Sequence, residues 1–176
     1  MVLFFVCQVG SEACLKREVA REHPDWRLGF SQPGFVTFRT DDMTRREALD
    51  LAWRPVFSQR MGVALGAPIH DPLPAPHVRG TLRLLAKEFP EEPLRLHVFP
   101  MGIHHDRFPC PECMAIHDKL AAGASEAGVN LLAEPDPDPG DLVADVAFSR
   151  TGNWTVGVHR HRIGMTPWPG GTFPVT

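Results

Sequence analysis

The order of short apolar strands and amphipathic helices in the first 66 residues is the feature that most constrains the fold. "VLFFVCQV" is apolar and β-prone, and "SEACLKREVAREH" is an amphipathic helix with Ser11 as a candidate N-cap. The turn "SQPG" joins two short strands, "WRLGF" and "FVTFRT". "TRREALDLAW" then carries a capping-box pattern at Thr44 and Glu47, and "VFSQRMGVAL" supplies a last strand. This β-α-β-β-α-β order predicts a split βαβ, ferredoxin-like domain over residues 1–66.

A proline-rich stretch follows this predicted domain. "GAPIHDPLPAP" has four prolines in eleven residues, and we expect a linker at residues 67–76 because prolines lack backbone donors. Beyond it come a helix ("HVRGTLRLLAKEF"), a strand ("LRLHVF"), a second helix ("CMAIHDKLAAGASEAG") and a hairpin ("LVADVAFSR" and "NWTVGVHRH"). These elements predict a second domain at residues 77–162, and the Pro/Gly-rich tail at 163–176 is expected to lead toward a further domain. The predicted fold class is α+β.

Composition excludes several functional classes. The apolar runs fall short of the roughly 20 residues that a membrane helix needs, and no cleavable leader is visible, so we expect a cytoplasmic protein without membrane association. The net charge of −3 gives no general attraction to phosphate. Any nucleic-acid surface must therefore be a local patch.

The stretch "HHDRFPCPECMAIH" concentrates potential metal ligands. Cys110, Cys113 and His117 can converge on one side of a helix, and His105 or His104 in the preceding loop can complete a tetrahedral zinc site. The alternative, which we favour, is that Cys113 packs inward, Cys110 lies in the first helical turn and the histidines are solvated. "PCPEC" also matches half of a nucleobase-deaminase signature, but no His-x-Glu precedes it.

Two basic clusters are candidates for binding phosphate. One repeats every four residues along the predicted helix, at Arg79, Arg83 and Lys87. The other ends the hairpin, at His159, Arg160, His161 and Arg162. Guanidinium groups pair with phosphate oxygens, and imidazoles or Trp154 can stack on unpaired bases. Taken alone, each cluster is more often a solvated face. No glycine-rich cofactor loop, phosphate loop or nucleophile elbow is present, so no catalysis is expected from this chain alone.

The opening "FFVCQVGSEACLKREVA" resembles the start of bacterial methyltransferases that modify a ribose 2′-hydroxyl of 23S ribosomal RNA. In that family a ferredoxin-like domain precedes a THUMP domain and an FtsJ-like Rossmann domain that uses S-adenosylmethionine (SAM). The element order agrees along the whole chain, so the resemblance implies a THUMP-like domain at 77–162. It also implies that the catalytic domain and its SAM lie outside this chain.

The resemblance implies that this region binds structured RNA, and specifically ribosomal RNA, so that a distant nucleotide reaches a separate active site. The two basic clusters are then the RNA-binding residues, and no DNA binding is expected. "CPEC" does not belong to the family's THUMP domain and inherits no role from it. The alternative hypothesis is a small zinc-binding protein whose Cys/His site at residues 104–117 is central.

Overall fold

The computed structural model describes residues 1–70, 74–102, 110–132, 137–149 and 152–161. In the described part of the chain, seven strands form one sheet in the order β2-β3-β1-β4-β7-β6-β5. The elements in chain order are β1 (Val2–Cys7), α1 (Glu12–Glu22), β2 (Arg27–Gln32), β3 (Phe35–Arg39), α2 (Arg45–Asp50), β4 (Ser58–His70), α3 (Pro74–Glu88), β5 (Leu94–Pro100), α4 (Pro111–Ala124), β6 (Leu142–Phe148) and β7 (Asn153–Arg160). None of the described helices is long and apolar enough to cross a membrane.

The first six elements have the ferredoxin-like arrangement that the sequence predicts. β1 lies between β3 and β4 and is antiparallel to both, and β2 pairs with the outer side of β3. The capping box predicted at the start of α2 is present, because Thr44 and Glu47 exchange side-chain to backbone hydrogen bonds. Ser11 lies at the N-cap of α1 but makes no side-chain cap, and its hydroxyl instead donates to the carbonyl of Gln8 over 2.6 Å.

The second group of elements also has the predicted order of helix, strand, helix and hairpin. β5 and β6 are parallel and are connected through α4, whereas β6 and β7 are antiparallel neighbours. A parallel pair requires a crossover connection of this kind, and a helix commonly supplies it. The molecule is therefore an α+β fold in which a helix, a strand, a helix and a hairpin follow the ferredoxin-like elements and extend the same sheet.

Within the stretch expected to be a linker, 67–76, the structure describes the end of β4, up to His70, and the start of α3, from Pro74. The pairing of β4 with β7 shifts register between Leu65 and Ile69, and an irregularity of this kind is where a strand tolerates proline. Pro74 begins α3, where a missing backbone N–H has no cost. The sheet thus continues from one half of the chain into the other. The division into domains at 1–66 and 77–162 stays a prediction.

All four helices cover the same face of the sheet. α1 and α2 pack on the side chains of Leu3, Phe5 and Val63, and α3 and α4 pack on the side of β4 that carries Leu65. Val63 and Leu65 are two residues apart in one strand and so point to the same face. The opposite face has its own buried cluster, formed by Phe4, Val6, Phe35, Phe99, Met101 and Ala147.

The sheet curls toward this second face, which we call the concave face. Gly102, just beyond β5, lies against the β2–β3 turn, since a Cβ on Gly102 would be 3.5 Å from the carbonyl oxygen of Pro33. In a flat sheet β3 and β5 would be five strand spacings, or about 24 Å, apart. The curvature therefore encloses the concave face, on which none of the described helices lies.

Two glycines make room for the Phe4 ring at the centre of the concave face. A Cβ on Gly157 would lie 2.3 Å from Cε1 of Phe4, and a Cβ on Gly62 would lie 2.6 Å from the same atom. Real Cβ atoms do not approach other carbons so closely. Phe4 also stacks on Phe35, with 5.9 Å between the ring centroids.

We expect Gly157→Ala to lower the free energy of unfolding by about 1–3 kcal/mol, because the added methyl group forces the Phe4 ring out of its position. Denaturant titration followed by far-UV circular dichroism measures this change. Phe4→Leu removes the colliding Cε1 atom, so Gly157→Ala should cost less in a Phe4→Leu background by at least about 0.5 kcal/mol. Strictly additive effects of the two substitutions would contradict this packing.

Candidate nucleic-acid interface

The three basic residues of α3 form an exposed stripe. Arg79, Arg83 and Lys87 are all solvent-exposed, whereas the other side of α3 packs into the core. Within the described residues, no carboxylate lies within ion-pair distance of Arg79 or Arg83, and Lys87 Nζ is 3.9 Å from Glu88. The α3 stripe is thus a local patch of largely unneutralised positive charge. Its role in RNA binding stays a prediction.

The second basic cluster, at residues 159–162, does not form one surface. Successive side chains of a strand point to opposite faces, so β7 directs His159 to the concave face and Arg160 to the helix-covered face. His159 is only 2 % exposed. Arg160 forms an ion pair with Asp50 at 3.2 Å and donates to the carbonyl of Gly140 over 2.9 Å. His159 was expected to belong to a basic surface that binds RNA, but in the structure its side chain is buried.

The remaining members of this cluster differ in their surroundings. His161 is half-buried, and its ring centroid is 6.5 Å from that of His159. Burial lowers the pKa of His161, and the nearby His159 and Arg60 lower it further, so this imidazole adds little positive charge near neutral pH. Arg162 lies outside the described residues. Trp154 is buried against His77, with 4.6 Å between ring centroids, and so cannot stack on a base.

A buried group of charged and polar side chains, which we call the Asp145 cluster, lies on the concave face. Asp145 is 1 % exposed and accepts a hydrogen bond from Nη1 of Arg60 over 2.9 Å. Nδ1 of His97 is 3.0 Å from the same carboxylate oxygen, and Nδ1 of His159 contacts the other oxygen. The four residues come from four neighbouring strands, β4, β5, β6 and β7.

The electrostatics of the Asp145 cluster keep its carboxyl group ionised. Burial by itself would raise the pKa of Asp145, but the adjacent His159 and Arg60, with the hydrogen bonds from the two histidines, hold that pKa far below its ordinary value. Burial, and then the charge of Arg60, lower the pKa of His97. Near pH 7 the cluster therefore contains an ionised carboxylate, a guanidinium and a neutral His97.

Sequence reasoning missed Arg60, His97 and Asp145. A weak indication was present, because Asp145 is the lone charged residue of the apolar stretch "LVADVAF" and because Arg95 and His97 alternate with apolar residues in "LRLHVF". Such a pattern shows that polar side chains share one face of a strand. It does not show which strands bring them together.

Residues 110–117 are the part of the Cys/His stretch that the structure describes. Cys113 is 4 % exposed in the core, and burial raises the pKa of its thiol to about 12. Cys110 is half-buried at the N-cap of α4, and His117 is exposed with its Nδ1 3.6 Å from Asp118. His105 lies outside the described residues. No three potential ligands come together in the part of the chain that the structure describes, and the zinc site stays a prediction.

We expect Asp145→Asn to destabilise the protein by about 3–5 kcal/mol, because Arg60 loses the carboxylate that neutralises it in a partly buried position. Chemical denaturation at pH 7.5 measures the loss. Asp118→Asn is the matched control, since this carboxylate is 79 % exposed and its removal should change stability by no more than about 0.5 kcal/mol. Equal effects of the two substitutions would mean that the cluster does not stabilise the fold.

Stability should also fall as the pH drops from about 6.5 to 5. The pKa of His97 is lowered in the folded protein, so the unfolded chain takes up protons in this range more readily than the folded one. His23 and His161 have lowered pKa values and act in the same direction. The depressed pKa of Asp145 adds a further loss below about pH 4. Unfolding free energies measured across this range should show a shallower slope for His97→Gln, and an unchanged slope would exclude His97 as a contributor.

Comparison with known proteins gives similarity of fold at low sequence identity. No family model matches the chain, and no curated protein matches it. TrmN from Thermus thermophilus matches 92 % of this chain and 46 % of its own, with 16 % identity and a TM-score of 0.58. A protein described as a possible methylase, from Clostridium difficile 630, matches 89 % of this chain and 40 % of its own, with 15 % identity and a TM-score of 0.57.

A third structure, of a candidate methyltransferase complexed with SAH, matches 89 % of this chain and 40 % of its own, with 14 % identity and a TM-score of 0.53. The chain thus spans less than half the length of each of these three structures. Identities of this size establish a shared fold alone. The chain has the fold of one part of these larger proteins, two of which are described as methylating enzymes.

Proposed function

We propose that this chain is an RNA-binding region that positions structured RNA for a SAM-dependent methyltransferase domain in a longer protein. The observation that carries the proposal is the α3 stripe, a cationic surface without carboxylate partners among the described residues, on a fold shared with part of larger methyltransferase-like proteins. The chain itself is net acidic. A local basic patch on an acidic protein favours a defined phosphate contact over general attraction.

The geometry of α3 suits a phosphate backbone. Its three cations follow one another at intervals of one helical turn, about 6 Å along the axis. Long basic side chains extend away from the helix, so a nucleic-acid strand that runs along α3 can contact more than one of them. Contacts of this kind hold and orient RNA without reading its bases. That property suits a region that delivers a substrate to an active site elsewhere.

The kind of RNA and the group that is methylated are proposed from the resemblance of the opening sequence to 23S ribosomal RNA methyltransferases. We propose ribosomal RNA as the partner, and a ribose 2′-hydroxyl of 23S RNA as the group methylated by the domain that binds SAM. In this proposal the protein is cytoplasmic, binds no DNA and has no membrane association. His161 and Arg160 are secondary candidates for RNA contact, because both are partly exposed near the end of β7.

The alternative function is a zinc-binding protein centred on residues 104–117. The observation that favours it is the position of Cys110 and Cys113 three residues apart at the start of α4, where they would supply two of four ligands. Elemental analysis of chelator-washed protein separates the two functions. Stoichiometric zinc that disappears in Cys110→Ser but persists in Cys14→Ser, whose thiol is exposed on α1, would support the alternative.

If the α3 stripe contacts phosphates, RNA affinity must fall as salt rises, because each neutralised phosphate releases condensed counterions. We expect Arg79→Ala/Arg83→Ala to weaken binding of a ribosomal RNA fragment. The slope of log affinity against log salt should become shallower by about 1.4, since each single-strand contact contributes roughly 0.7. Fluorescence anisotropy at several salt concentrations measures both quantities.

The matched control is Arg17→Ala/Arg21→Ala, which removes the same charge from exposed positions on α1. It should leave the slope almost unchanged. The loss caused by Arg79→Ala/Arg83→Ala should also be similar for RNAs of different sequence, as phosphate contacts require. Equal effects of the two double substitutions would show general electrostatics instead of a site on α3. No RNA binding by the unmodified chain would refute the proposed function.

A further inference from the structure

Two of the four thiols lie side by side at the start of α4. Cys110 is the N-cap residue and Cys113 is the third residue of the helix. Positions three apart at a helix start have Cα atoms roughly 5 Å from each other, within the range of about 4.4–6.8 Å found for disulfides. The two residues are close enough for Cys110 to contribute, after burial, to the raised pKa of the Cys113 thiol. A disulfide between them needs only small adjustments of the side chains.

The two thiols differ in accessibility in the way that a disulfide-exchange reaction requires. Cys110 is half-buried and can be reached from solvent, whereas Cys113 is 4 % exposed and packs in the core with Leu120. A reagent too large to enter the core therefore meets Cys110 first. Cys113 is then the nearest group able to react with whatever forms on Cys110.

The position of the two cysteines in the fold also favours a role in disulfide exchange. α4 is the crossover helix between the parallel strands β5 and β6, and the Cys-x-x-Cys pair stands where that helix begins. A Cys-x-x-Cys pair in a parallel β-α-β unit is typical of proteins that exchange disulfides. The other cysteines lack this arrangement, since Cys7 is buried in the core of the first half and Cys14 is exposed on α1.

We propose that Cys110 and Cys113 are a reversible dithiol–disulfide site that reacts with low-molecular-weight disulfides of the glutathione class. The Cys110 thiolate attacks one sulfur of the reagent, forming a mixed disulfide and releasing one thiolate. Cys113 then attacks the Cys110 sulfur and its proton passes to the departing glutathione thiolate, which forms the protein disulfide and releases the second thiol. Two protein thiols are oxidised, and one reagent disulfide is reduced to two thiols. This site is independent of the RNA-binding function proposed above.

The test uses the full chain in a Cys14→Ser background, which removes the exposed thiol that would otherwise exchange between molecules. Chelator-washed protein is equilibrated without oxygen in buffers of reduced and oxidised glutathione, quenched with acid, unfolded, alkylated and digested. Mass spectrometry of the peptide containing residues 110–117 then distinguishes dithiol, mixed disulfide and internal disulfide. We expect the internal disulfide to be the main oxidised form. At a constant concentration of oxidised glutathione, the ratio of disulfide to dithiol should fall with the square of the reduced glutathione concentration.

Two variants separate the roles of the thiols. Cys113→Ser should stop at the glutathione adduct on Cys110, because the second step has no nucleophile. Cys110→Ser should leave Cys113 unmodified under the same conditions, since the buried thiol is not reached. Circular dichroism spectra matching that of the unmodified chain would exclude loss of folding as the cause.

Three results would overturn the proposal. One is a glutathione adduct that persists on Cys110 while Cys113 remains a free thiol. Another is a pair that stays reduced in buffers that modify Cys14 in the unmodified chain. The third is stoichiometric zinc that returns to chelator-washed protein and protects both thiols, which would assign the pair to a metal site.

Discussion

The described helices all cover one face of the sheet, and the apolar side chains of the other face are buried by the curvature of the sheet itself. Much of the structure depends on this constraint. Phe4 lies at the centre of the enclosed face, and the absence of a Cβ at Gly62 and Gly157 allows its ring to reach across β4 toward β7. Bringing β5 round toward the β2–β3 turn also completes the cluster that contains Phe99 and Met101. Burial of apolar area is thus achieved by bending, where a second layer of helices would otherwise be needed.

The same curvature encloses a carboxylate, and an enclosed charge must be paired. Asp145 meets that requirement with Arg60 and two histidines from neighbouring strands. Desolvating such a group is costly, so a cluster of this kind adds less to net stability than its short distances suggest. Its clearer effect is on specificity, because a register shift in β4, β6 or β7 would separate the charges. Arg60 also lies over the Phe99 ring at 5.6 Å, which ties the charged and apolar parts of the concave face together.

The parts of this fold that could be predicted from sequence are the local ones. Strand and helix order, and the capping box at Thr44 and Glu47, follow from patterns within a few residues. The pairing of β4 with β7 up to His70 could not be predicted from the local proline pattern, because strand pairing joins residues that are far apart in sequence. The Asp145 cluster could not be predicted, since Arg60 and Asp145 are 85 residues apart in the chain.

In the candidate site, too, features set by nearby residues could be predicted from the sequence, and features set by distant residues could not. Helical periodicity was enough to put Arg79, Arg83 and Lys87 on one exposed surface. Residues 159–162 were grouped by their closeness in sequence, although the period of two in a strand already implies that His159 and Arg160 face opposite sides. The placement of Cys110 and Cys113 near each other at the start of α4 was foreseeable from their spacing.

The continuous pairing of β4 with β7 has a consequence for how the chain can be divided. Backbone groups from Val63 to Leu65 are hydrogen-bonded to the far half of the chain, at Val156 to Val158. A fragment that ended near residue 66 would keep the ferredoxin-like elements but would expose an unpaired, apolar strand edge. Such an edge readily accepts a strand from another molecule. In the whole chain, each half therefore covers a strand edge that the other half would otherwise leave unpaired.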